Sequence, residues 1–171
     1  MAEHPGAVTF KDNPLTLVGE MPSVGEPAPD ATALDSDLNE VRRSDCQGKV
    51  AVICSVPSLD TPVCDAEMRR FNDEATRLSD DVVVAVVSMD LPFAQKRWCG
   101  AAGADRVMPL SDHRDASFGQ AFGVLVKELR LLARAVFVVD REGKVRYVQL
   151  VKEITEEPDY DAALAAVRDL Q

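Results

Sequence analysis

Two almost unbroken apolar runs constrain this chain more than any other feature. Val50-Ala51-Val52-Ile53-Cys54-Ser55-Val56 and Val82-Val83-Val84-Ala85-Val86-Val87-Ser88 are of strand length and dominated by β-branched valine. Neither alternates polar with apolar residues, so each fits a strand buried on both faces of a sheet. The chain must therefore supply covering layers on both sides. Between the runs lie the loop Pro57-Ser58-Leu59-Asp60-Thr61-Pro62-Val63-Cys64 and a helical run from Asp65 to Leu78. A strand, a helix and a second parallel strand make a βαβ unit, which closes with a right-handed crossover.

The remaining elements arrange themselves around that unit. Val8-Thr9-Phe10 and Leu15-Thr16-Leu17-Val18 read as a hairpin turning at Asn13-Pro14. The prolines at 27 and 29 exclude helix from the connector that follows. Short strands are expected near Ala31 to Leu34 and Val41 to Ser44. Pro92 opens a short helix that Gly100 is expected to end, and Val107 to Leu110 is a brief strand. Ala116 to Phe122 reads as a helical turn or two. Ala135 to Val139 is a third buried strand, joined through Asp140-Arg141-Glu142-Gly143 to an alternating strand over Lys144 to Val151. A terminal helix starts at Pro158-Asp159, with Tyr160, Ala163, Leu164, Val167 and Leu170 at helical spacing. The order predicts an α/β protein, a central mixed sheet flanked by helices on both faces. It matches the thioredoxin-like fold with an N-terminal β-hairpin extension, as one domain over residues 1–171.

Composition excludes several function classes. Acidic residues exceed basic ones by 29 to 19, a net charge of −10, with no basic run. That field repels phosphate backbones and anionic membranes, so neither nucleic acid nor a membrane is an expected partner. No segment approaches the roughly 18 apolar residues of a membrane span. The first residues lack a basic stretch followed by an apolar one, so a cytoplasmic location is expected. In that compartment, the 4 cysteines are expected to be reactive or inert thiols rather than a disulfide framework.

One of them, Cys64, has a distinctive setting. Thr61 is a favoured N-cap residue whose hydroxyl is expected to accept an N–H from the first turn. Pro62 then takes the first helical position, where proline is welcome, and Cys64 the third. Cys64, Met68, Phe71, Ala75 and Leu78 step down one apolar face. Unpaired N–H groups and the helix dipole favour a thiolate there; burial opposes it. The carboxylates of Asp60, Asp65 and Glu67 also oppose it unless they face solvent, and Arg69 and Arg70 lie off the Cys64 face. A free thiol of pKa ~8.5 is about 3% thiolate at pH 7, so full ionisation gains at most roughly thirtyfold. Any larger acceleration must come from groups that position a substrate and stabilise its developing charge.

Pro57, Thr61 and Cys64 form the pattern Pro-x-x-x-Thr-x-x-Cys, the active-site signature of the peroxiredoxins. The chain further resembles the bacterial thiol peroxidase subgroup at several places. These are Ser58 to Cys64, Arg69-Arg70-Phe71-Asn72, Asp90-Leu91-Pro92-Phe93-Ala94-Gln95, Trp98-Cys99-Gly100, Leu132-Ala133-Arg134-Ala135-Val136, and Glu153 to Tyr160. The resemblance implies a peroxidase acting on hydrogen peroxide and alkyl or lipid hydroperoxides. It makes Cys64 the peroxidatic cysteine, oxidised to a sulfenic acid, and Cys99 the resolving cysteine of an intrachain disulfide. It makes Thr61 a ligand of sulfur and peroxide, Arg134 the activator of the thiolate, and Pro57 a shield against water. Thioredoxin as reductant and a homodimer are implied as partners, with no cofactor and no metal. On such a reading the ends of both cysteine-bearing helices must unwind locally, because a disulfide needs Cα atoms about 4.4–6.8 Å apart.

Competing chemistries lack their residues. A thioredoxin-like reductase needs Cys-x-x-Cys, which is missing, and carries proline where this chain has Arg134. A cysteine hydrolase needs a histidine base; the chain has only His4 and His113, and His113 has no distinctive setting. No ligand spacing suits zinc, and no glycine loop suits a phosphate. Cys54 reads as core, and Cys46 sits in a polar loop; neither is assigned a role. A peroxide-sensing redox switch using the same Cys64–Cys99 pair is the alternative from a different functional class.

Overall fold

The computed structural model describes residues 1–104 and 106–171. In chain order the strands are β1 (Glu3–Phe10), β2 (Asn13–Val18), β3 (Thr32–Leu34), β4 (Glu40–Arg42) and β5 (Val50–Ser55). Helix α1 (Pro62–Ala75), β6 (Val82–Ser88), α2 (Pro92–Ala102), β7 (Val107–Ser111) and α3 (Ser117–Ala121) follow. The chain ends with β8 (Leu125–Val126), β9 (Leu131–Leu132), β10 (Ala135–Val139), β11 (Val145–Leu150) and α4 (Tyr160–Arg168).

The two valine-rich runs lie side by side and parallel in the middle of a 7-stranded sheet of order β11-β10-β5-β6-β7-β3-β4. Every residue of β5 is buried, as an apolar run without alternation requires. Its side chains divide by parity. Val50, Val52, Cys54 and Val56 pack with Cys64, Met68, Phe71 and Ala75 of α1, Trp98 of α2, and Ala163, Leu164 and Val167 of α4. Ala51 and Ile53 point the other way, toward Phe118, Phe122, Phe137 and the N-terminal hairpin residues Val8, Leu15 and Leu17. The expected thioredoxin-like architecture is thus present, a mixed sheet with a layer on each face. No helix among the described residues is long and apolar enough to cross a membrane.

Register positions the site. β10 runs antiparallel to β5 with Ala135 opposite Ser55. Arg134, one residue before β10, is therefore carried to where the chain leaves β5 for the Pro57 loop. Ser55 strengthens the juncture by donating its hydroxyl to the Ala133 carbonyl at 2.7 Å.

Three local expectations are corrected, and two short strands are added. The hairpin turns at Lys11-Asp12, not at Asn13-Pro14; Phe10 pairs with Asn13, and both turn residues have positive φ (49° and 67°). A turn with two left-handed residues matches the twist of the flanking strands, and Pro14 is accommodated inside β2 opposite Thr9. Helix α2 runs through Gly100 to Ala102. It ends at Gly103, whose φ of 65° is the left-handed cap, with its N–H on the Cys99 carbonyl. A mid-helix glycine costs only about 1 kcal/mol, too little to end a helix that has a better cap three residues on. β4 stops at Arg42, and Arg43–Cys46 form a 3-10 turn. The two-residue strands β8 and β9, too short for any periodicity, extend the N-terminal hairpin into a 4-stranded sheet β1-β2-β8-β9.

The turn yields a stability prediction. Replacing Lys11-Asp12 by Asn-Gly keeps the conformation and removes the Cβ strain of two left-handed residues. It should raise stability by about 1 kcal/mol, or roughly 2–4 °C in a thermal melt.

Candidate active site

Helix α1 starts as its sequence directs, with Pro62 first and Thr61 as an extended N-cap (φ −95°, ψ 147°). The Thr61 hydroxyl does not cap the helix, contrary to expectation. It donates to the Ser58 carbonyl at 2.9 Å, while the Thr61 carbonyl accepts the Asp65 N–H. The side chain thus closes the loop onto itself rather than the helix. The loop is pinned from below by Asp90, just past β6. That carboxylate accepts from the Ser58 hydroxyl (2.7 Å), the Leu59 N–H (2.8 Å) and the Ser88 hydroxyl (2.7 Å).

Cys64 is fully buried. Its sulfur lies 3.1 Å from Nη1 of Arg134. Arg134 is only 1% exposed, an unusual place for a guanidinium, and its donors are spent inside the protein. Nε and Nη2 both donate to the Ile154 carbonyl, at 3.1 and 3.0 Å. Nη1 also donates to Oε2 of Glu67 at 2.6 Å. Burial opposes the charge on Arg134, but Cys64 and Glu67 outweigh it, and its pKa is raised. The guanidinium is therefore a permanent positive charge against the sulfur, and such a charge favours the thiolate.

Glu67 is the residue that sequence reasoning missed. Its sequence position suggests a carboxylate that faces solvent or opposes a thiolate; in the fold it is wholly buried. Burial pushes its carboxyl up to about 7, with Arg134 pulling it down and Glu157 adding a smaller upward push. Its Oε1 is buried with no partner among the described residues. A signal existed: Glu67 lies three residues after Cys64, on the same helical face as Met68 and Phe71. A carboxylate within an apolar stripe calls for a buried cation, and Arg134 is that cation.

Pro57, Ser58, Thr61, Pro62, Val63 and Arg134 line one wall of a cleft of about 400 Å³. Phe10, Leu129, Leu131, Ile154 and Thr155 line the other. Its walls are mainly apolar, and Arg134 is the charged group in them. The structure thus brings Pro57, Thr61, Cys64 and Arg134 together. Cys99 stands apart on α2. Like the fully buried Cys64, it does not line the cleft, and it packs half-buried against the core cluster that contains Cys64. Both are free thiols. Burial pushes the Cys99 thiol up, which makes it a poor nucleophile where it stands. The neighbours of the two cysteines are joined: Trp98 Nε1 donates to Asp65 Oδ1 at 2.7 Å, and Arg69 Nε to Asp65 Oδ2 at 2.9 Å. Cys54 is buried in β5, and burial, with Glu67 adding, raises its pKa well above the usual thiol range. Cys46 is half-buried.

Residues 23–164 match the Redoxin family model. The chain is 56% identical to a thiol peroxidase of Bacillus subtilis over 163 residues, which is 95% of this chain and 97% of that protein. The chain belongs to the redoxin family, on its thiol peroxidase branch. A Staphylococcus aureus thiol peroxidase is 53% identical over 95% of this chain and 98% of its own. Among solved structures, a peroxiredoxin-like protein from Aquifex aeolicus superposes with a TM-score of 0.90 at 47% identity, covering 98% of this chain and 99% of that one. A thiol peroxidase from Chromobacterium violaceum has a TM-score of 0.84 at 19% identity, over 95% of each chain, and shares the fold. In this redoxin chain the cleft, the buried cation and the buried thiol therefore sit on a fold that its relatives share.

The Arg134–Glu67 pair carries two predictions. Arg134→Met leaves Glu67 buried without its cation and should cost about 3–5 kcal/mol in chemical denaturation, much of it recovered by adding Glu67→Gln. The raised carboxyl means that the folded protein holds a proton that the unfolded chain releases above about 4.5. Its favourable contribution is complete below that pH and declines as pH rises toward about 7. Glu67→Gln lacks this decline, so its stability relative to the unsubstituted protein should improve across that window in melts from pH 4 to 8.

Proposed function

We propose that the chain is a peroxidase that reduces hydrogen peroxide and alkyl or lipid hydroperoxides, with Cys64 as the attacking thiolate. The observation that carries the reading is the contact between the Cys64 sulfur and Arg134, which itself lines an apolar cleft. The thiolate attacks the terminal peroxide oxygen. The S–O bond forms as the O–O bond breaks, and the leaving oxygen takes up a proton as alcohol or water. Arg134 stabilises first the thiolate and then the charge that develops on the oxygens. Thr61, held by Ser58, and Pro57 shape the wall and keep bulk water out. The cleft's apolar lining suits a hydrocarbon tail better than bare hydrogen peroxide.

The product is a sulfenic acid on Cys64. In the proposed second step the Cys99 thiolate attacks that sulfur, an S–S bond forms, and the hydroxyl leaves as water. Cys99 is at the last turn of α2, where its carbonyl receives the capping N–H of Gly103, so the segment that must unwind is short. Burial lifts the Cys99 thiol; unwinding releases it from that burial and makes it a better nucleophile. The Asp65–Trp98 hydrogen bond joins the positions next to the two cysteines and must break on the way. Thioredoxin is proposed as the dithiol that then reduces the disulfide, with residues 1–171 acting as one domain, as a homodimer, in the cytoplasm.

The test is peroxide-dependent NADPH oxidation coupled through thioredoxin and its reductase. Cys64→Ser should abolish it; retained activity would overturn the mechanism. Cys99→Ser should consume one equivalent and leave a sulfenic or higher acid on Cys64 by mass spectrometry. Trp98 is the only tryptophan, so its emission should change on peroxide addition in the unsubstituted protein and not in Cys99→Ser. Consumption of a single equivalent by the unsubstituted protein, with thioredoxin present, would favour the redox-switch reading instead.

A further inference from the structure

Glu153 belongs to no wall of the cleft, yet four hydrogen bonds converge on its carboxylate. Oε1 accepts from the Thr9 hydroxyl (3.0 Å) and the Asp12 N–H (2.9 Å). Oε2 accepts from the N–H (2.9 Å) and hydroxyl (2.6 Å) of Thr155. The main chain adds to this: Thr9 N–H donates to the Lys152 carbonyl at 2.7 Å, and Ile154 N–H to the Thr9 carbonyl at 2.9 Å. Residues 152–155 are thereby clamped to the end of β1 and to the Lys11-Asp12 turn. These bonds hold the carboxyl of Glu153 down at about 2, so it stays ionised throughout the pH range in which a protein like this works.

The segment so clamped contains Ile154, whose carbonyl receives both Nε and Nη2 of Arg134. With that edge of the planar guanidinium fixed, the direction of Nη1 is fixed as well, and Nη1 is the atom against the Cys64 sulfur. We propose that Glu153 is a positioning residue: it locks the Ile154 carbonyl, and through it the Arg134 fork, onto Cys64. The N-terminal hairpin is then part of the activating machinery and not an ornament on the fold. The inference rests on the reading of Arg134 as the activator of Cys64.

Glu153→Gln tests it, because an amide can accept on one side only and presents an N–H to whichever partner faces the other. The readout is the rate of Cys64 alkylation by iodoacetamide, resolved from the other cysteines by peptide mass spectrometry, which needs no peroxidase turnover. A guanidinium that has swung away no longer favours the thiolate. The rate at pH 7 should fall about tenfold, while at pH 10, where thiols ionise unaided, it should change less than about twofold. Cys64 faces Arg134 directly and Glu67 through it, and neither carries the substitution. In an Arg134→Lys background, which has no fork for Ile154 to hold, adding Glu153→Gln should have no further effect.

An equal loss at both pH values, a loss that persists undiminished in the Arg134→Lys background, or no loss at all would each overturn the proposal. If Glu153→Gln melts below the assay temperature, Thr9→Val removes one of the four bonds and should give a drop of about twofold at pH 7 only; no drop there would count against it. Failure of the peroxidase reading looks different: the unsubstituted protein would turn over no peroxide, or Cys64→Ser would still do so, whatever the alkylation rates.

Discussion

One guanidinium ties the site together. Arg134 sits fully inside the protein, with Nη1 shared between the Cys64 sulfur and Glu67 and its other edge on the Ile154 carbonyl. An isolated charge so placed would cost many kcal/mol. It is tolerated because each of its directions meets an anion or a strong acceptor. Of those acceptors, Glu67 balances the charge, and on the proposed mechanism Ile154 aims it at Cys64. Glu67 also limits it, since a carboxylate 2.6 Å from Nη1 competes with the sulfur for the same donor. The rise of the Glu67 carboxyl to about 7 puts that competition near neutrality.

The fold serves that arrangement from three directions. The antiparallel register of β10 on β5 delivers Arg134 to the exit of β5. The capped start of α1 presents Cys64 and Glu67 one turn apart on its buried face. The hairpin β1–β2 clamps the 152–155 segment that carries the Ile154 carbonyl. Cys99 is kept out of this assembly, on a helix end joined to α1 through Asp65 and Trp98. In the proposed cycle such an arrangement separates two needs: peroxide must meet a rigid, preorganised pocket, whereas disulfide formation needs a segment that can come loose.

The sequence-based expectations failed where two neighbouring local signals competed. Asn13-Pro14 looked like the turn, but the strand twist selects left-handed residues at Lys11-Asp12. Gly100 looked like a helix end, but Gly103 has the cap geometry. The Thr61 hydroxyl was expected on the helix N-terminus and is instead committed to Ser58. In each case the residue type was informative, and the competing residue lay within three positions along the chain.

What the sequence by itself determined was the frame and the placement of the candidate thiol. Valine runs without alternation demand a buried parallel core, and Thr-Pro-x-Cys after such a strand demands a thiol in the first turn of a helix. Both are short-range consequences of strand burial and helix capping. Tertiary structure alone decided how that thiol's charge is managed. Helical spacing already places Glu67 one turn after Cys64, but Arg134 follows Cys64 by 70 residues, and the Glu153 clamp joins positions 9, 12 and 153–155. No periodicity links such distant residues. They meet because sheet register and hairpin packing bring them together, and a buried charge has to find its partners wherever the fold places them.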